Sequence, residues 1–332
     1  TILKERKYVI INFLIIIQGT IMKKVLVNTI CDLMQKQGNV YLFTADLGYG
    51  VVNRIVEEHP DRFFNVGICE QNLTSAAAGM ALEGNIVFTY SIGNFPTLRC
   101  LEQIRNDVAY HHANVKIIAV GGGFAYGNLG MSHHATEDIA VMRAIPQMMV
   151  LSPADCYETQ EAVKLAVQTD GPVYIRLGRG GEKDVTHITG DIKQVMLVKQ
   201  TSEIQKSPKI AILGTGSTVL EAEKAVGIWN GRCNISAYSV AQIKPVNTEG
   251  ILHICNENDY VITVEEHNVV GGLGSVVAEL MAENTTRARL VRIGMHDEFT
   301  QVVGSPAYLR NYYGMDCEGI CNTIEKLLGD CK

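Results

Sequence analysis

The sequence predicts an α/β protein made of two doubly wound domains with mostly parallel sheets. Three observations carry this. Short apolar, β-branched runs alternate with helical segments from Met22 onward. The runs are apolar on both faces, as strands are when helices cover a parallel sheet on each side. A polar stretch from Gly180 to Ser207 interrupts the alternation once, after which it resumes.

Residues 1–21 stand outside the pattern. Lys4, Arg6 and Lys7 precede the apolar run 8–17, which resembles a signal-peptide core but lacks a small-residue cleavage pattern and is too short to span a bilayer. They are expected to be an N-terminal extension outside the fold. The first domain, 22–182, opens with the helix VLVNTICDLMQKQ. Its strands are YLFTAD (41–46), NIVFTYS (85–91), VKIIAVG (115–121), MMVLS (148–152) and PVYIRLG (172–178), each an apolar run bounded by turn residues. Between them lie the helices NLTSAAAGMAL, LRCLEQIRNDVAYH and, after the start signal Ser152-Pro153, CYETQEAVKLAVQ. Residues 183–207 read as a linker with one hairpin. The second domain, 208–332, has strands at 209–216, 233–240, 260–267 and 288–295, with helices at 218–229, 247–256 and 273–283.

Of 332 residues, 47% are hydrophobic and only 19% charged, against about 25% charged in a typical soluble domain. Much of the surface is therefore expected to face protein. A net charge of -6 argues against nucleic acid or an acidic membrane as partner, leaving small molecules and subunits. Nine scattered cysteines, an odd number, do not form a disulfide framework and suit a reducing cytoplasm. Cys317 and Cys321 make a lone CxxxC with no histidine nearby, so no metal is assigned to them.

Chemistry concentrates in a few windows. Residues 63–82 contain one charge, Glu70, between a short strand and an Ala/Gly-rich helix. Such a carboxylate is either buried with raised proton affinity, able to share a proton with a ligand, or merely a complement to the helix dipole. The uncharged window 117–136 runs from a strand through a glycine-rich loop to His133 and His134. Loops at the carboxyl ends of parallel strands form the ligand sites of such folds, and a histidine there can donate a proton. His133 lies nearer the loop. Phe95, followed by Pro96, occupies another such loop, where an aromatic can stack on a flat heterocycle or simply pack in the core. Arg176 and Arg179, at the end of a strand, can hold a phosphate or sit on the surface. The glycines of ILGTGS and GGLGS lack the GxGxxG context of a dinucleotide site and read as turn glycines.

Together, TADLG (44–48), FFNVGICEQN with its AAAGMAL helix, LEQIRNDVA (101–109), SHHATEDIAVMRAIP (132–146), LSPAD (151–155), RLGRG (176–180) and VEEHNVVGGLGS (264–275) resemble, in order and spacing, the pyrimidine-binding and C-terminal domains of transketolase. The resemblance implies ketol transfer from a ketose or its phosphate to an aldehyde through thiamine diphosphate. Glu70 would hydrogen-bond the pyrimidine nitrogen, Phe95 would stack on that ring, and Asp46 would border the cleft. His133 would act at a substrate oxygen, and Arg179 would hold the phosphate. The family's diphosphate and Mg2+ site, a GDG followed by Asn, is absent here, Gly190-Asp191-Ile192 having no such context. This implies a cytoplasmic split enzyme whose N-terminal subunit carries that site, an α2β2 heterotetramer with a small-subunit homodimer. Where the family has a histidine, an aspartate and a serine near the substrate, this chain has Gly121, Leu129 and Gly50, which implies a different hydroxyl pattern in donor or acceptor. The competing resemblances are the beta subunit of a 2-oxo-acid dehydrogenase, a 1-deoxyxylulose-phosphate synthase relative, and a non-catalytic assembly subunit.

Overall fold

The computed structural model describes residues 21–179, 183–186 and 191–329. The expected extension lies outside the described residues up to position 20, as do parts of the polar stretch between the domains. The first sheet has seven strands: β1 (Val40–Thr44), β2 (Phe63–Asn65), β3 (Ile86–Ile92), β4 (Val115–Val120), β5 (Met149–Leu151), β6 (Val173–Leu177) and β10 (Gln242–Lys244). Their order is β10-β5-β6-β4-β3-β1-β2. All pair in parallel except β10, which runs antiparallel to β5. The second sheet is built from β7 (Met196–Gln200), β8 (Lys209–Gly214), β9 (Asn234–Ser239), β11 (Tyr260–Asn268) and β12 (Arg289–Met295), in the order β12-β11-β8-β9-β7.

The central strands are buried on both faces, as parallel strands between helices must be. One face of the first sheet packs on helices Ile21–Lys36 and Cys156–Gln168, where Leu26, Ile30, Ala162 and Val163 share one apolar cluster with Leu42, Phe88 and Ile118. The other face belongs to a cluster that runs from Phe43 and Leu73 to Ile251 and Val277, so the two domains share a continuous core. Among the described residues, no helix is long and apolar enough to cross a membrane.

Two strands differ from expectation. The stretch read as a linker hairpin instead supplies a single strand, β7, which pairs antiparallel with β9. β10 leaves the second domain's chain to cap the edge of the first sheet. Its Lys244 ammonium donates to the Arg143 and Ile145 carbonyls at 2.8 and 2.5 Å, satisfying the C-terminal end of helix Asp138–Ala144. Helix Cys156–Gln168 is capped by Asp155, rather than by the expected Ser152 signal, through a bond from the Glu158 amide at 3.0 Å.

Glu158 itself is 2% exposed, and burial pushes its carboxyl up to about 7, although the nearby Ser239 hydroxyl and a bond from the Ala154 amide favour the ionised form. Its folded value lies above its ordinary 4.5. The fold therefore binds the proton more tightly than the unfolded chain, and stability falls as pH rises from about 4.5 through about 7. Glu158→Gln removes that charge and should raise Tm by about 2–6 °C at pH 8 while changing it little at pH 4. Thermal melts across that range read the difference, and equal shifts at both ends would contradict it.

Candidate active site

Five loops leave the carboxyl ends of adjacent strands in the order β6, β4, β3, β1, β2, and each carries a residue singled out from sequence. Arg179 follows β6, His133 follows β4, Phe95 follows β3 and Asp46 follows β1, while Glu70 opens the helix Glu70–Leu82 after β2. Carboxyl ends of parallel strands offer a crevice of this kind.

Four of the five are joined by a continuous row of contacts. Arg99 Nη1 donates to Glu70 Oε2 at 2.9 Å, and the same guanidinium lies 4.6 Å above the Phe95 ring centroid. Phe95 meets His133 at 5.1 Å, His133 meets Tyr126 at 6.3 Å, and Arg179 lies 5.3 Å over Tyr126. The Asn94 amide donates to the His134 carbonyl, bolting the Phe95 loop to the histidine loop. The row thus runs from a buried carboxylate, past aromatic faces and a partly exposed imidazole, to an exposed guanidinium.

Glu70 is 3% exposed, in keeping with its expected burial, but it is not isolated. Arg99 supplies the counter-charge that its sequence neighbourhood lacks. Asp46 stands apart from the row. Its carboxylate accepts from Tyr49 Oη at 2.6 Å and Asn65 Nδ2 at 3.0 Å, bonds that hold it below the usual carboxylate range. Asn65 in turn accepts from the Asp46 and Gly67 amides. Asp46 therefore braces the segment that delivers Glu70.

The two histidines separate cleanly. His133 faces the row, with the Ser132 hydroxyl 3.0 Å from its Nδ1. His134 is buried, with Nε2 against the Gly127 carbonyl at 3.1 Å and its ring 5.5 Å from Phe124. Arg176 does not reach the site as a phosphate holder. It is buried, pairs with Asp138 at 2.8 Å, and donates to the Ala135 and Glu266 carbonyls, tying the two domains together.

The glycine-rich loop also has a different cause from close approach to a ligand. A Cβ on Gly121 would lie 2.2 Å from the Tyr126 ring, one on Gly122 2.7 Å from Arg176, and one on Gly123 2.4 Å from Glu266. The chain's own side chains fill that space. The GGLGS segment likewise serves packing: Glu265 accepts from the Leu273 and Gly274 amides at 2.7 and 2.8 Å, completing the N-terminus of helix Leu273–Glu283.

Sequence reasoning missed Arg99 and Tyr126. Tyr126 had a signal, being the aromatic inside the glycine-rich loop. Arg99 had none beyond its position in the loop that holds Phe95.

A buried carboxylate beside an aromatic face fits the edge and face of a planar, protonated heterocycle such as an aminopyrimidine. Among the described residues, no three Asp or Glu side chains gather closely enough to share an ion. The one group of three metal-ligating side chains there is Cys31, Glu58 and His59. It is occupied internally: the Cys31 thiol donates to Glu58, Arg54 pairs with Glu58 at 2.8 Å, and Arg62 contacts His59 Nδ1 at 2.7 Å. Burial and the Glu58 bond push the Cys31 thiol up to about 11, away from the thiolate a metal needs.

Residues 19–181 match the family profile described as "Transketolase, pyrimidine binding domain", and residues 199–320 match "Transketolase, C-terminal domain". A "Putative transketolase C-terminal section" of Methanocaldococcus jannaschii is 39% identical over 307 residues, covering 91% of this chain and 95% of the relative. One subunit of an apulose-4-phosphate transketolase of Phocaeicola vulgatus is 36% identical over 304 residues, covering 91% of this chain and 95% of that relative. Among solved structures, a "Split gene transketolase, inactive beta4 tetramer" superposes with a TM-score of 0.80 at 32% identity, covering 92% of this chain and 97% of that one.

Proposed function

The chain belongs to the transketolase family, and from that premise we propose that it is the small, pyrimidine-domain subunit of a split enzyme that moves a two-carbon ketol unit from a ketose phosphate to an aldehyde. The observation that carries this is the unbroken row from Glu70 to Arg179. When bound, thiamine diphosphate supplies the carbon acid that opens the ketose beside its carbonyl. Glu70 would hold the proton at the pyrimidine ring nitrogen, and Phe95 would offer its face to that ring. His133 donates to the substrate oxygen on which negative charge develops, and Arg179 pairs with the substrate phosphate.

The diphosphate and Mg2+ belong in this reading to an N-terminal subunit, in an α2β2 assembly with a small-subunit homodimer. The first domain carries the site, and the second, which takes in β7 from the stretch read as a linker, braces it. The nine scattered cysteines, an odd number, support a reducing cytoplasm.

The donor or the acceptor has a hydroxyl pattern that differs from that of xylulose 5-phosphate. Leu129 is 57% exposed, nothing lies within 4 Å of where a Gly50 side chain would start, and Tyr126 fills the space over Gly121. Each lost hydrogen-bond partner costs about 1–3 kcal/mol. Xylulose 5-phosphate should therefore be used about 10- to 100-fold less efficiently per missing contact than the preferred ketose. A ketose phosphate panel assayed on the complete complex, by kcat/KM with product mass, tests both the transfer and its specificity. The absence of any two-carbon transfer would overturn the function, whereas a best rate with xylulose 5-phosphate would overturn only the specificity.

A further inference from the structure

Arg99 makes two contacts at once, and both belong to the seat assigned above to the pyrimidine ring. Its Nη1 donates to Glu70 Oε2 at 2.9 Å, and its planar guanidinium lies 4.6 Å over the Phe95 centroid. A guanidinium is flat, cationic and edged with N–H donors. A ring-protonated aminopyrimidine has the same three properties. Either group satisfies a buried carboxylate at its edge and an aromatic ring at its face, but one carboxylate oxygen and one ring face cannot hold both in the same place.

The burial asymmetry sharpens this. Glu70 is 3% exposed, while 48% of the Arg99 side chain is exposed. The carboxylate is fixed inside the protein; the arginine reaches it from the solvent side, with room to leave. An ionised carboxylate buried without a partner is costly, so an arginine that can swing in keeps the pocket stable in the chain alone. Phe95 also meets His133 edge-on at 5.1 Å, so the seat Arg99 takes lies next to the imidazole assigned to the substrate.

We propose that Arg99 is a place-holder for the cofactor's pyrimidine ring, seated against Glu70 and Phe95 in the chain and displaced when the cofactor binds. This rests on the function proposed above. It makes Arg99 a competitor of the cofactor as well as a stabiliser of the unloaded chain, and those two roles respond oppositely to mutation.

The test measures thiamine diphosphate binding by calorimetry, in magnesium buffer, to the complex with the diphosphate-holding subunit, together with Tm of the small subunit alone. Arg99→Met keeps much of the side chain's length but can neither pair nor lie flat as a cation. It is expected to tighten cofactor Kd about tenfold, the scale of one half-exposed ion pair plus one cation–π contact. It should also lower the subunit's Tm by about 5 °C. Arg99→Lys retains the charge and should fold normally, with Kd tightened about threefold by loss of the planar stack. Unchanged or weaker cofactor binding in Arg99→Lys, or in a folded Arg99→Met, overturns the place-holder and makes Arg99 a permanent partner of Glu70. If the wild-type complex itself shows no saturable binding, the functional reading falls, and the place-holder with it.

Discussion

Glu70→Gln in the assembled complex is expected to leave the fold intact and to lower turnover by about 10²- to 10⁴-fold, the range that positioned proton transfer supplies. The substitution preserves volume at a residue that is 3% exposed, and before the cofactor binds the amide oxygen still accepts from Arg99. It cannot exchange a proton with a ring nitrogen. The loss should therefore fall on kcat rather than on KM for the sugar, because Arg179 and His133, to which the proposed function gives the substrate, are untouched. The circular dichroism band of the bound cofactor's imino tautomer should fade in parallel. A variant with wild-type turnover would show that Glu70 does no more than complement the helix dipole.

Glu70 was legible because it is the single charge in a twenty-residue window that opens an Ala/Gly-rich helix. An isolated carboxylate has to be explained by something distant, and Arg99, 29 residues on, supplies it. The strands of both sheets were legible for a similar reason: burial on two faces leaves little but apolar, β-branched residues in β1, β3, β4 and β6. The edge strands β7 and β10 carried no such signal. β10 is only Gln242–Lys244, and its place is fixed by Lys244 reaching helix carbonyls about a hundred residues earlier in the chain. Arg176 and Arg179 look equivalent in sequence, yet Arg176 lies within a buried strand and must find a partner inside, whereas Arg179 lies beyond the strand end. The expected strand, 172–178, ends within one residue of β6 and already sets Arg176 inside the strand and Arg179 beyond it.

The isolated chain is expected to bind thiamine diphosphate weakly, with Kd above about 100 μM, and to turn over no ketose, whatever its purity. The argument is one of missing charge. Most of the cofactor's affinity resides in a diphosphate with its Mg2+, and hard cations require several oxygen ligands. Among the described residues, the one group of three His, Cys, Asp or Glu side chains close enough to share an ion is Cys31, Glu58 and His59, which offers a single carboxylate, already paired with Arg54 and the Cys31 thiol. What the chain offers instead is an edge contact at Glu70 and a ring face at Phe95, both taken by Arg99 in the chain alone. A single charge-assisted hydrogen bond and a stack, diminished by the displacement of an arginine, cannot hold a soluble dianionic cofactor at micromolar concentration. Adding the subunit that carries the GDG…N site should restore binding and turnover together, with activity saturating near one small subunit per large subunit. Calorimetry on the single chain decides the matter: micromolar affinity in magnesium buffer would mean that this chain holds the diphosphate by itself, and the division of the site between two subunits would have to be abandoned.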